Sequence, residues 1–135
     1  MKTVTSLFAH KNSDYIFEKS FGSDSAFGKA LDWARKNESE KIYIFTFDEI
    51  RDKTAENISS KENLVSLPSW TTEDLIMESE KAVSEADCDF VIFAWADCPF
   101  LNRKLTSEII ETHTEFLSEY TFAEGYPYGF SPETV

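Results

Sequence analysis

The run Phe90-Val-Ile-Phe-Ala-Trp-Ala96 meets no polar side chain until it stops at Asp97-Cys98-Pro99. An uninterrupted apolar run of this length predicts a strand buried on both faces, of the kind found at the centre of a parallel sheet. Asp97 then falls at the carboxyl end of that strand. Ligands of open α/β sheets bind in the crevice beyond the carboxyl ends, so a carboxylate set there suits a metal ion or a sugar hydroxyl. The turn preferences of Asp and Pro offer a simpler role, capping a turn or the next helix.

Strand and helix patterns alternate along the whole chain. Val4 to Ala9 predicts a first strand, followed by an irregular connection from His10 to Gly22 that carries Lys11, Asp14, Tyr15 and Lys19. Ser23 or Asp24 caps a helix whose apolar positions Phe27, Ala30, Leu31 and Ala34 keep a helical period, with Trp33 on its flank. Lys41 to Phe47 is a second interior strand. The polar stretch from Asp48 to Lys61 holds a short helix around Asp52 to Ile58, and Leu64 to Leu67 is a short strand ended by Pro68. Thr71 or Thr72 caps a helix through Leu75, Ile76, Ser79, Ala82, Val83 and Ala86 that feeds the Asp97 strand. A further helix spans Thr106 to Ser118, and a last strand is expected near Tyr120 to Ala123.

This order implies right-handed crossovers and a mainly parallel sheet with helices on both faces, a three-layer α/β sandwich. Residues 1–135 are one domain's worth of chain. The ending Gly125-Tyr-Pro-Tyr-Gly-Phe-Ser-Pro132 is turn-rich and leaves a sheet edge, so the expectation is an amino-terminal portion of a longer protein.

Charge narrows the function classes. Thirteen Lys and Arg face 25 Asp and Glu, and the formal charge of -12 disfavours nucleic acid and anionic membranes as partners. Any phosphate site depends on local cations, backbone amides or a bridging metal. Cys88 and Cys98 lie ten positions apart on an extended segment; at roughly 3.3 Å per residue they are beyond disulfide reach, and free thiols fit a reducing cytoplasm. No segment approaches the ~20 apolar residues of a membrane span. The expectation is a cytoplasmic protein.

Ala96-Asp97-Cys98-Pro99-Phe100-Leu101, with a helix expected over Leu105 to Phe116, resembles the Gly-Asp-x-Pro-Leu motif and following helix of the nucleotide-diphospho-sugar transferase fold. That group includes the cytidylyltransferase-like and molybdopterin guanylyltransferase-like enzymes. Ala26 to Ala34 followed by Lys41 to Thr46 is similar to its first helix and second strand, and Gly125-Tyr-Pro127 to a later Gly-x-Pro turn. The resemblance implies that Asp97 takes part in binding Mg²⁺ or Mn²⁺ with a nucleotide or nucleotide sugar. It also implies that Asp48, ending the second strand, helps select base or ribose, although an ordinary helix cap accounts for Asp48 equally well. Trp95 to Leu101 taken with Glu119 to Glu133 resembles the amino-terminal region of spiro-SPASM proteins, in which a transferase-like domain precedes a radical S-adenosylmethionine domain. The Cys-x3-Cys-x2-Cys cluster motif of such a domain does not occur in these 135 residues.

One departure sets the functional expectation. Active members carry a glycine-rich loop with Arg and Lys after the first strand, whereas here no glycine precedes Gly22 and only Lys11 and Lys19 stand near the phosphate position. The second carboxylate of the family's metal site comes from a later strand. The expectation is therefore a degenerate nucleotidyltransferase-fold domain, a binding or docking module of a larger radical S-adenosylmethionine protein. The alternative is a metal-dependent nucleotidyl- or glycosyltransferase. A flavodoxin-like domain ranks behind both, because no Gly-x-Gly-x-x-Gly or Ser/Thr-rich phosphate loop follows the first strand.

Other side chains carry paired readings. His10 is a loop histidine or a base or metal ligand at the edge shared with Asp97. His113 reads as a hydrogen-bonded packing histidine. Cys98 is an unreactive thiol unless the strand end and helix start lower its pKa. The acidic stretch Glu73, Asp74, Glu78, Glu80 and Glu85 reads as a solvated helix face. Phe122, Tyr126, Tyr128 and Phe130 either dock a partner or close the domain's own core.

Overall fold

Strands form where β-branched and aromatic residues concentrate: β1 (Thr3–Phe8), β2 (Lys41–Phe47), β3 (Glu62–Leu67), β4 (Phe90–Trp95) and a two-residue β5 (Glu133–Thr134). The computed structural model describes residues 2–9, 14–68, 71–125 and 129–135. Between the strands lie α1 (Ala26–Arg35), α2 (Arg51–Glu56), α3 (Thr72–Ala86) and α4 (Arg103–Glu115), with short 3₁₀ turns at Asp14–Phe17 and Asp48–Ile50. The sheet order is β3-β2-β1-β4-β5. The first four strands are parallel and β5 pairs antiparallel with β4. The fold is the mainly parallel α/β sandwich expected.

From β1 the chain adds β2 and then β3 on one side, and β4 returns to the other side of β1. The strand order thus reverses between β1 and β4. Val4 sits beside Lys41 on one side and Val91 on the other, and Phe8 beside Phe45 and Trp95. The two strands of the reversal therefore end level with each other.

Helix starts follow capping chemistry. The Ser25 hydroxyl accepts from the Gly28 N–H at 3.0 Å, that of Thr71 from Asp74 at 3.1 Å, and the Asn102 carbonyl oxygen from Leu105 at 3.1 Å. The first cap is one or two residues later than expected because Asp24 is held in a bridge with Phe21 and its carboxylate accepts from the Ser25 N–H. The last helix starts at Arg103 rather than Thr106, because the Asn102 side chain caps it.

Two further expectations change. Thr121 makes only an isolated bridge, to Thr134, and the ordered edge strand is Glu133–Thr134, beyond the turn-rich segment. An edge strand can be this short because β4 supplies the ladder: Val91 and Val135 exchange both backbone hydrogen bonds, at 2.8 and 2.9 Å. Nor is β4 buried on both faces. Phe90, Ile92 and Ala94 are buried while Val91, Phe93 and Trp95 are half-buried.

The difference between the faces explains that alternation. Leu7, Ile42, Ile44, Ile92 and Ala94 point to the principal core with Phe27, Leu31 and Trp33 of α1, with Ile50 and Ile58 flanking α2 and with Ile110 of α4 at its margin. The opposite face carries Val4, Phe8, Tyr43 and Phe45, packed with Leu75, Ala82 and Ala86 of α3. Among the described residues α3 is the helix packed on that second face, and the β4 side chains there keep partial contact with water.

Candidate active site at the strand reversal

Pairing of β4 with β1 runs one residue past the named strand, since the Ala96 N–H donates to the Phe8 carbonyl at 2.9 Å. The Cys98 N–H then turns back to the Trp95 carbonyl at 3.2 Å, which places Asp97 in a turn at the carboxyl edge of β4. Asp97 accordingly stands beside the β1–β4 reversal, where open α/β sheets bind ligands.

Both carboxylate oxygens of Asp97 accept from within the chain. The Tyr15 hydroxyl donates to Oδ2 at 3.3 Å and the Cys98 thiol to Oδ1 at 3.7 Å. Tyr15 is 55 % exposed and reaches the site from the 3₁₀ turn after β1. Partial burial, then the Asp97 charge and the hydrogen bond to it, raise the Tyr15 phenol above its ordinary 10.0. Cys98 is buried. Gly129 packs against its sulfur, where a Cβ would come to 3.4 Å, and its φ of +88° is the reason glycine suits the position.

The segment after the turn is fixed by aromatic packing. Phe100 stacks on Phe130 with centroids 5.8 Å apart and meets Phe21 edge-on at 5.6 Å, while the Asn102 N–H donates to the Phe130 carbonyl at 2.9 Å. Behind Cys98 a cavity of about 250 Å³ is lined by Trp95, Phe122, Gly129, Ser131 and Glu133. Glu133 accepts a hydrogen bond from Tyr120, whose phenol is pushed up to about 12 chiefly by that bond.

Asp48 follows the carboxyl end of β2, at the same edge of the sheet as Asp97. Its exposed carboxylate accepts from the Ser66 hydroxyl at 2.7 Å, so it is turned toward β3. Its strand is two positions from β4 in the sheet, a separation of about 10 Å at the usual strand spacing. Among the described residues no three His, Cys, Asp or Glu side chains converge as metal ligands. Lys11 and His10 lie outside the described residues, as do Tyr126 and Tyr128. His113 is buried, with Nδ1 at 2.9 Å from the Thr121 hydroxyl and its ring against Phe90, as a packing histidine should be. Sequence reasoning named Tyr15 only as part of a connection. No one-dimensional signal links it to a carboxylate 82 positions away.

No family model matches the chain. Forty residues are 44 % identical to an uncharacterized protein of Treponema pallidum (strain Nichols), covering 30 % of this chain and 18 % of that one. A cytidylyltransferase from Leptospira borgpetersenii serovar Hardjo-bovis superimposes with a TM-score of 0.76 over 99 % of this chain and 60 % of its own, at 19 % identity. The fold is cytidylyltransferase-like. The same fold relates the chain to 4-diphosphocytidyl-2C-methyl-D-erythritol synthase from Anaerococcus prevotii, with a TM-score of 0.70, 15 % identity and coverage of 98 % and 70 %. It also relates it to Rv0371C of Mycobacterium tuberculosis H37Rv, solved in complex with manganese, with a TM-score of 0.71, 12 % identity and coverage of 89 % and 62 %. The chain thus spans somewhat under two thirds of the Leptospira and Mycobacterium proteins. No described helix is long and apolar enough to cross a membrane.

Proposed function

We propose that this cytidylyltransferase-fold domain no longer transfers nucleotides and serves as a binding or docking module of a larger radical S-adenosylmethionine protein. One observation carries the first half: both oxygens of Asp97 are engaged by neighbours in the same chain, Tyr15 and Cys98. Asp48, whose strand lies two positions from β4, accepts from Ser66, and no glycine lies between Phe8 and Phe21 to let the backbone approach a pyrophosphate. The second half rests on the likeness of residues 95–101 and 119–133 to the spiro-SPASM amino-terminal region.

The position of Asp97 at the strand reversal favours a second reading, a nucleotidyl- or glycosyltransferase using Mg²⁺ or Mn²⁺. The donors gathered there are one carboxylate, one phenol and one thiol. A hard cation prefers oxygen ligands and binds through one or two carboxylates plus substrate phosphates and water. Asp97 would supply one such ligand, and the metal's contribution would be to neutralise phosphate charge. Thermal melting with nucleoside triphosphates and nucleotide sugars, each with Mn²⁺ or Mg²⁺, separates the readings. The docking reading expects no pyrophosphate release and no metal-dependent rise in Tm. A rise abolished by Asp97→Ala, accompanied by turnover, would replace it with the second.

A further inference from the structure

An apolar cleft of about 500 Å³ runs between α3 and the half-covered face of the sheet. Phe8, Val91, Phe93 and Trp95 form its floor, and Ile76 and Val83 belong to its helical wall. Phe8 ties the floor together, with its ring 5.9 Å from Phe93 and 5.5 Å from Trp95. Ile76 is 60 % exposed on the rim. We propose that this cleft docks a basic amphipathic helix of a partner. The inference deepens the docking reading by naming the partner's chemistry, and it involves residues other than Asp97.

The backbone dictates that the occupant be helical. β1 and β4 spend their hydrogen bonds on each other, on β2 and on β5, and Val91 already exchanges both of its bonds with Val135. The floor is a face of the sheet, which presents side chains and not ladder groups, and Val91 to Phe93 at its edge are already paired, so an occupant lying on it satisfies its own peptide groups and offers side chains. A helix laid along α3 does this.

Charge selects the sign. Glu73 and Glu80 lie seven apart on α3, which sets both exposed carboxylates on one side of the helix that walls the cleft, and Glu80 itself lines it. α3 as a whole carries five carboxylates and a single lysine, Lys81. A partner helix with leucines inward and lysines at heptad spacing matches apolar floor and acidic rim together. A second copy of this chain would bring a charge of -12 against -12, which opposes self-association.

A fluorescein-labelled synthetic helix of leucine and lysine in amphipathic heptads is the probe, with an isomeric scrambled peptide as its control. Fluorescence anisotropy should give saturable one-to-one binding that weakens at least about tenfold for the scrambled peptide and for each of the variants Ile76→Asp and Glu80→Lys. Both positions are exposed, and circular dichroism verifies that each variant is folded. Asp97→Ala should bind the peptide as the parent does, so turnover at Asp97 would overturn the earlier reading and leave this one standing. Equal binding of the scrambled peptide, insensitivity to both rim variants, or a dimer in sedimentation that Ile76→Asp dissolves would each overturn the proposal.

Discussion

The Tyr15 hydroxyl and the Asp97 carboxylate, 3.3 Å apart, join the segment after β1 to the turn after β4 across the reversal of strand order. The bond lies at the carboxyl edge of the sheet, beside the reversal where open α/β sheets bind ligands.

Replacing Tyr15 by Phe should therefore matter more for access than for stability. An exposed hydrogen bond of this kind contributes about 0.5 kcal/mol, so urea denaturation should register almost no change. Conversely, Asp97→Asn should lower the Tyr15 phenol part of the way toward 10.0, because the effect of partial burial, the largest, stays while the charge and its hydrogen bond are removed. Ring-carbon NMR of Tyr15 through an alkaline titration measures this. A phenol that does not move would separate Tyr15 from Asp97 in solution.

Alkaline pH should loosen the carboxyl-terminal segment. The Tyr120 phenol rises to about 12 because its proton is held on Glu133, and partial burial adds to this. A folded value above the unfolded 10.0 means that the contact's contribution is complete below pH 10 and is lost as pH climbs from 10 to about 12. Glu133→Gln should lower the Tyr120 titration and flatten the loss of Tm in that window. An unchanged alkaline melting profile would count against the bond.

Glu62 tests the interior. Its side chain is fully buried and its Oε1 accepts from Arg35 Nε at 2.6 Å, while the Ser59 hydroxyl donates to Oε2 at 2.5 Å. Arg35→Met leaves a buried carboxylate short of its cation. Because Arg35 is 40 % exposed, the cost should be about 2 kcal/mol, below the ~3–5 kcal/mol of a fully enclosed pair. The double variant Arg35→Met/Glu62→Leu should recover most of it in urea denaturation.

The α1–α4 contact offers a cleaner case. Trp33 donates its indole N–H to the Thr106 hydroxyl at 2.9 Å, and both residues are buried. Thr106→Val keeps the shape and removes the acceptor, so the stranded indole should cost about 1–3 kcal/mol. Thr106→Ser should cost less, and a Val variant as stable as the parent would contradict the geometry.

Much of the scaffold was legible because its signals are local. The apolar run ending at Asp97 gave the strand and its terminus, and Thr71 gave the start of α3, since propensity and capping depend on neighbours in sequence. Burial of the run was not legible: Val91, Phe93 and Trp95 are as apolar as Ile92 yet half-buried, and a string of letters does not state how many helices cover each face of a sheet. The edge strand at Glu133 has no sequence signature because two residues carry no period, and it exists through its pairing with Ile92 and Phe93.

The candidate site divides in the same way. From the sequence alone came the carboxylate at a strand end, the acidic α3, the free thiols and the absence of glycine before position 22. Only the tertiary structure decided that Tyr15 meets Asp97, that Ser66 donates to Asp48, and that α3 leaves an apolar cleft beside β4. Such contacts depend on strand order and helix placement, which join residues far apart in the chain through packing energies shared across the whole domain, and no local pattern records them.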